Sequence, residues 1–374
     1  MRLDPFQLER YFGQYEFSVP FPLAASDCDG LPLSEVLELA DAPTRELWDT
    51  LGLGYTETQG HPLLRQTIAG TYEACEPDQV LVAAPEELIF IATNCLVRNG
   101  DHVVCTFPGY QSLYSVAEAL HAEVSHWEPD EAQGWYFDPD RLAALIRPST
   151  RLIVLNFPHN PTGALPSAAD YERILAIAEH YGIAVFSDEM YRLLELNEAD
   201  RLPSAVERYD KAVTLSGVSK TLGLAGLRIG WLVVRDPVLM RRLIALKDYT
   251  TICSSAPSEI LAIAGLGARA EIVDRHRRRM TRNLGLLTGF MAKYEPLFSW
   301  TPPRGGTVCF PRFKPDSIGT TEFCRLVREE ADVMLAPSAV FDYGERHLRI
   351  GVGRENFPEG LVRLSTFLTS RRTQ

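Results

Sequence analysis

The chain has 374 residues, 46% of them hydrophobic and 23% charged, enough for one large core or two closely packed ones. Its 37 basic and 49 acidic side chains leave a formal charge of −12, which gives no general attraction to nucleic-acid phosphates or anionic membranes, so neither is expected as a partner. Seven cysteines without a C-x-x-C pair, no apolar leader near the N-terminus and no apolar stretch of membrane-spanning length read as a cytoplasmic protein with reduced thiols.

From about residue 60, β-rich runs alternate with helical stretches. "DQVLVAA" (78–84) is a predicted strand. In the following "PEELIFIATNCLVRNG", Leu88, Ile91, Ala92, Cys95 and Leu96 fall at helical spacing, with Pro85 suited to a first helical position and Asn99-Gly100 as the stop. Then come a strand at 102–107, a helix near 110–121, a strand at 151–157 and a helix from Ala168 to about Tyr181. Ser167 is placed to cap that helix and Gly182 to end it. Strands at 183–188, 212–216 and 228–234 complete the series. Near-continuous apolar strands separated by helices predict an α/β fold, a mostly parallel sheet covered on both faces. Ligands of such sheets bind beyond the carboxyl ends of the strands.

After residue 255 the pattern changes. A helix carrying "DRHRRRMTRN" (274–283) precedes the strand-like "TVCFPRF" and "HLRIGVG", with helix "TEFCRLVREE" between them. This predicts a large domain, 41–265, and a smaller α+β domain formed by 1–40 together with 266–374. The arginine run is read as a solvated helix face paired to local acids in preference to an anion site.

Several chemistries can be set aside. No G-x-G-x-x-G joins a strand to a helix, no H-E-x-x-H or Cys/His cluster offers metal ligands, and no G-x-S-x-G is present. Lys220 stands out instead. It has no charged neighbour within seven positions, and it follows the strand-like "AVTLS". Asp188 ends another apolar strand, where a carboxylate has no packing role. Tyr191 lies three residues on, Arg228 eight beyond the lysine, and Asn160 in "NPTG" after a third strand. Pyridoxal phosphate requires this set: a lysine for a Schiff base, a carboxylate at the pyridine nitrogen, and a cation with N–H donors for its phosphate.

On these motifs the sequence resembles the fold-type I, class I/II aminotransferases along nearly its whole length. The resemblance implies the PLP-dependent transferase fold, pyridoxal 5′-phosphate as cofactor, and a role in amino-acid metabolism. "SGVSKTLGLAGLRIG" is similar to the family's lysine segment, which implies that Lys220 carries the cofactor while Ser219 and Arg228 hold its phosphate. It further implies that Asp188 pairs with the ring nitrogen and that Tyr191 and Asn160 bond the phenolic oxygen. Tyr110 in "FPGY" is implied to stack on the ring. Tyr55 in "YTETQGHPLLR" is implied to reach the partner subunit's phosphate in a homodimer with shared sites. Arg349 in "HLRIGVG" is implied to bind the substrate α-carboxylate, beside Asn160, and its fork suits a planar carboxylate.

Three departures from the family pattern stand out. Ala84-Pro85-Glu86 replaces the small, hydroxylated phosphate turn, and Pro85 has no N–H to donate. Gly217 stands where many members have a phosphate-binding hydroxyl. Thr250 in "DYTTICSSAP" stands where dicarboxylate-specific members carry an arginine, so aspartate and glutamate are disfavoured as donors. Side-chain selectivity is expected in loops such as "AASDCDGLP" (24–32). The sequence also resembles capreomycidine-synthase-like enzymes in "NFPHNPTG", "PPRGGTVCFPRF" and "RHRRRM". The expected activity is transfer of an amino group from a neutral or basic α-amino acid to a 2-oxo acid. A PLP-dependent lyase or cyclase of specialised amino-acid biosynthesis is the alternative among enzymes, and an aminotransferase-like ligand-sensing regulator the alternative of another class.

Overall fold

The six apolar runs between residues 78 and 234 all become strands of one sheet, joined by a seventh that periodicity did not reveal. The computed structural model describes residues 2–372. Its large sheet contains β1 (Val80–Ala83), β2 (His102–Thr106), β3 (Glu123–Trp127), β4 (Thr150–Asn156), β5 (Ala184–Asp188), β6 (Ala212–Gly217) and β7 (Gly230–Val234). Their order is β1-β7-β6-β5-β4-β2-β3. Pairings from β3 through to β6 are parallel, while β7 runs antiparallel to both β6 and β1. β3 is one of the two edge strands, and four of its five residues are exposed or half-buried, so it never wrote an apolar run into the sequence.

The other strands are buried on both faces, as near-continuous apolar runs require. Leu152 and Val154 of β4 pack with the helix Pro85–Leu96, whereas Ile153 and Leu155 pack with the helix Ala168–Tyr181 on the opposite face. The latter helix begins and ends where the sequence places its signals. Ser167 Oγ accepts from the Asp170 amide at 3.0 Å, and Gly182 takes the left-handed conformation, φ 67°, that closes the last turn. The helix from Pro85 stops at Leu96, ahead of Asn99-Gly100, because Val97 is already extended.

Residues beyond 268 form the helices Arg269–Lys293, Thr320–Ala331 and Phe357–Arg372 around small two- and three-stranded sheets. Leu287, Phe290, Tyr294 and Phe323 share a core of their own with Leu23. The N-terminal segment is tied in through Ala24, whose amide bonds the Met334 carbonyl at 2.8 Å, and Leu23, whose carbonyl accepts from Gly351. The N-terminal helix Gln7–Tyr15 leans the other way, since Leu8 is buried in the cluster containing Trp127 and Phe137 of the large-sheet side. The arginine run is ion-paired to acids, but largely to ones distant in sequence and not to local ones: Arg277 to Glu198, Arg279 to Asp29 and Glu355, and Arg282 to Glu355, while Arg278 pairs with Asp274 on the same helix. Among the described residues no helix is long and apolar enough to cross a membrane.

Candidate active site

Strands β4, β5 and β6 end side by side, with Asn156 in register with Asp188 and Asp188 with Leu215. A cleft of about 580 Å³ opens beyond these ends, between the sheet and the N-terminal helix. Of the residues singled out in the sequence, Pro85, Glu86, Tyr110, Asn160, Asp188, Tyr191, Ser219, Lys220, Arg228 and Arg349 face this cleft. Ala84 does not; it lies along a neighbouring apolar groove. Tyr55 also lies outside the cleft, 92% exposed on the surface of the chain.

Lys220 sits on a single helical turn, Val218–Thr221, that starts where β6 ends. Its Nζ donates to Ser26 Oγ at 2.9 Å. Asp188 is buried, and its Oδ1 accepts from the Met190 amide at 3.0 Å. Burial pushes its carboxyl up to about 7, against the opposing pulls of the Met190 bond and of Lys220; neighbouring Glu189 adds to the rise. A carboxylate so placed is stabilised by whatever cation arrives beside it.

Asn156 organises the next loop. Its side-chain amide donates to the Asp188 carbonyl at 3.3 Å, and its Oδ1 accepts from the Asn160 amide at 2.8 Å. Asn160 in turn accepts from Arg349 Nη1 at 3.1 Å. Arg349 is 1% exposed and donates to the Ala24 carbonyl from Nε at 3.1 Å and from Nη2 at 2.9 Å. Its guanidinium lies between the rings of Phe12 and Phe341, 5.3 and 5.2 Å from their centroids. Among the described residues no carboxylate pairs with it. A buried guanidinium that keeps its charge without an acid partner is a receptor for one.

The aromatic residues are held from the N-terminal side. Tyr110 donates to Glu9 Oε1 at 2.9 Å and packs against Phe6. Tyr191 donates to the Ser26 carbonyl at 3.0 Å, so in this structure its hydroxyl points to the loop 24–32 and not to Asn160. Ser219 is buried, and its Oγ has no hydrogen-bond partner among the described residues. Arg228, exposed and left-handed at φ 56°, donates among the described residues only to the Ala225 carbonyl.

The two phosphate-turn departures acquire physical reasons. A Cβ on Gly217 would sit 3.1 Å from both Gly230 Cα and the Ile229 carbonyl, so a serine or threonine does not fit there without displacing β7. Burial pushes the Glu86 carboxyl up to about 7, and Ser112 donates to it at 3.2 Å. A large neutral fraction near neutral pH removes much of the repulsion Glu86 would offer an anion. Thr250 and Thr251 both donate to Glu87, and neither supplies charge.

The family model described as "Aminotransferase class I and II" matches residues 20–361. The chain belongs to the class I and II aminotransferase family. It is 28% identical over 364 residues to capreomycidine synthase of Streptomyces vinaceus, covering 96% of this chain and 92% of that protein. Among solved structures, a PLP-dependent aminotransferase from Streptococcus suis 89-1591 superposes with a TM-score of 0.92 at 30% identity, covering 99% of both chains. The PLP-dependent cyclase OrfR superposes with a TM-score of 0.91 at 29% identity, covering 99% of this chain and 98% of that one. The fold is therefore that of the fold-type I enzymes, and this aminotransferase-family enzyme depends on pyridoxal 5′-phosphate.

The residues present fit that cofactor. Ser219 offers a buried hydroxyl with no other partner among the described residues, Arg228 a cation with no acid beside it there, and Asp188 a buried carboxylate awaiting one. Sequence reasoning missed Asn156, Ser26, Glu9, Glu16, Asp27 and Arg354, all facing the cleft. Asn156 could have been found by the strand-end rule that found Asp188. Ser26 and Asp27 lie in the loop singled out for selectivity. Glu9 and Glu16 carried no local signal.

Proposed function

We propose that the enzyme transfers an amino group from a neutral or basic α-amino acid to a 2-oxo acid, as a homodimer with shared sites. The observation that carries this reading is Arg349, a buried guanidinium without an acid partner among the described residues, facing the same cleft as the Lys220 amine and Asp188. Bound in the cleft, pyridoxal 5′-phosphate supplies an amine-reactive aldehyde and a ring that accepts electrons released at the substrate Cα.

Asp188 holds a proton on the ring nitrogen, because its buried carboxylate is stabilised by that cation. Ser219 and Arg228 hold the phosphate, with the helix start at Pro85 contributing its N-terminal field and no proline N–H. Tyr110 would cover one ring face, and Asn160 would bond the phenolic oxygen, joined by Tyr191 once its hydroxyl turns away from the Ser26 carbonyl. Arg349 would grip the α-carboxylate with its fork and so orient the substrate Cα. Lys220 Nζ would carry the cofactor and, once the substrate amine has taken its place there, would be the base for the Cα proton. Tyr55 completes the neighbouring subunit's phosphate site, consistent with its exposure here. The reading also keeps the division into a cofactor-binding domain, 41–265, and a smaller one of 1–40 with 266–374.

The decisive experiment follows the nitrogen. With a 15N-labelled donor and a 2-oxo acid, transamination puts the label on the acceptor and leaves the donor as its 2-oxo acid. The likeness to capreomycidine synthase and to a cyclase favours a second reading, elimination or cyclisation. In that case the label stays on the donor-derived product or appears as ammonia, and no acceptor is consumed. A Tyr55→Phe chain mixed with a Lys220→Ala chain tests the shared sites. Subunit exchange should raise activity above the sum of the parents, and no gain counts against the dimer.

A further inference from the structure

Glu9 and Glu16 lie seven residues apart on the N-terminal helix and its cap, hence on one face two turns apart, with Phe12 between them. All three face the cleft. Once Arg228 is assigned to phosphate, Arg349 to the α-carboxylate, and Asp188 and Lys220 to the ring and Cα, the remaining charged lining is unequal. Three carboxylates, Glu9, Glu16 and Asp27, face one guanidinium, Arg354, beside Glu86, whose carboxyl burial raises. That guanidinium is committed to Asp27 at 2.8 Å and reaches Glu16 only at 3.8 Å. Glu9 accepts from Tyr110 and Glu86 from Ser112. Glu16 is different: among the described residues nothing donates a hydrogen bond to its carboxylate, although it is only 25% exposed.

Acids alone do not make a ligand site. This cavity is marked as one independently, by the buried Ser219 hydroxyl without a partner and by Arg349 without an acid, among the described residues. We propose that Glu16, supported by Glu9, binds the terminal cation of the substrate's side chain, so that the enzyme selects amino acids bearing a guanidinium or ammonium group. The inference rests on the reading of the cleft as an amino-acid site and narrows its substrate class. Arg349 anchors one end of the substrate and Glu16 receives the other. The Phe17 ring beside Glu16, 92% exposed, gives the arriving cation an aromatic face. Burial and the neighbouring Asp27 raise the Glu16 carboxyl, a penalty that a bound cation removes. A distal carboxylate would meet the same acids, with Arg354 already taken.

The test is a titration of cofactor absorbance in the Lys220→Ala protein loaded with pyridoxal phosphate, so that binding is read without turnover. Arginine, lysine, citrulline and glutamate are compared. Citrulline keeps the shape of arginine and removes its charge. Arginine or lysine should bind about 10- to 100-fold more tightly than citrulline, the range for a charge-assisted hydrogen bond, and glutamate most weakly. Which of the two cations binds more tightly tells guanidinium from ammonium. Adding Glu16→Gln should bring the arginine-to-citrulline ratio toward one, with Glu16→Asp recovering part of it. The ratio measured with Glu16 in place already decides for or against the proposal, so a poorly folding Glu16 variant does not rescue the idea. Equal affinity for arginine and citrulline overturns this proposal alone. If no amino acid binds while the cofactor is retained, the amino-acid reading of the cleft falls and this proposal with it.

Discussion

The floor and the roof of the cleft are built in opposite ways. The floor consists of strand ends: Asn156, Asp188 and the Val218–Thr221 turn with Lys220 follow consecutive parallel strands, each placed by the strand just before it. The roof is assembled from distant pieces of chain: Glu9 and Glu16 from the N-terminal helix, Ser26 and Asp27 from the following loop, Arg349 and Arg354 from the C-terminal region. The two meet at few points, chiefly Lys220 with Ser26 and Asn160 with Arg349. A rigid sheet edge suits groups that must hold a ring and a proton to within fractions of an ångström. A roof of separate segments suits selectivity, because each piece can vary without disturbing the sheet.

If the floor carries chemistry, its variants should abolish turnover without unfolding the protein. Lys220→Ala is expected to have the largest effect, with activity below detection. The amine makes one hydrogen bond, so stability should change by less than about 1 kcal/mol. Borohydride reduction followed by peptide mapping should place the cofactor on the peptide containing Lys220. A label elsewhere would break the comparison at its centre.

Asp188→Asn should keep the lysine linkage and lower turnover by about two to four decades, since an amide cannot hold the ring nitrogen protonated. Its stability signature is distinct. The carboxyl is raised from 3.8 to about 7 in the folded chain, so the cofactor-free protein loses stability as pH climbs through that window and levels off above it. The asparagine variant lacks this loss. Without cofactor it should melt above wild type beyond pH 7, and the difference should shrink toward pH 4. An unchanged gap across that range would show that Asp188 is not held as a buried, destabilised carboxylate.

Roof variants should instead reshape substrate use. Arg349→Lys replaces a planar fork by a point charge and leaves the Ala24 carbonyl with fewer donors. A loss of kcat/KM of about 10- to 100-fold, equal for all donors, is expected from steady-state kinetics. A loss confined to one donor would move Arg349 from common anchor to side-chain selector.

The smallest effect sharpens the floor's own geometry. Gly217→Ser adds the hydroxyl that the family pattern leads one to expect, yet the β-carbon meets Gly230 and Ile229 at 3.1 Å. The variant should lose about 1–3 kcal/mol of stability in denaturant melts and gain no cofactor affinity. Tighter cofactor binding at unchanged stability would show that β7 yields.

The sequence by itself determined the sheet, its strand ends and the chemistry they carry. Apolar period and length decide strands, and a lysine or aspartate at the end of an apolar run has no packing reason to be there. It could not show β3, whose polar edge residues carry no period, nor the reason for Gly217, which lies in the close passage of β7. It left Glu9 and Glu16 indistinguishable from any solvated helix face, because nothing within the helix says what lies opposite. Only the tertiary structure decided that those acids, Ser26 and Arg349 share one cavity: the approach of residues 9, 26 and 349 to a common cleft depends on how the two ends of the chain pack over the sheet, and packing at such separations leaves no mark on local sequence.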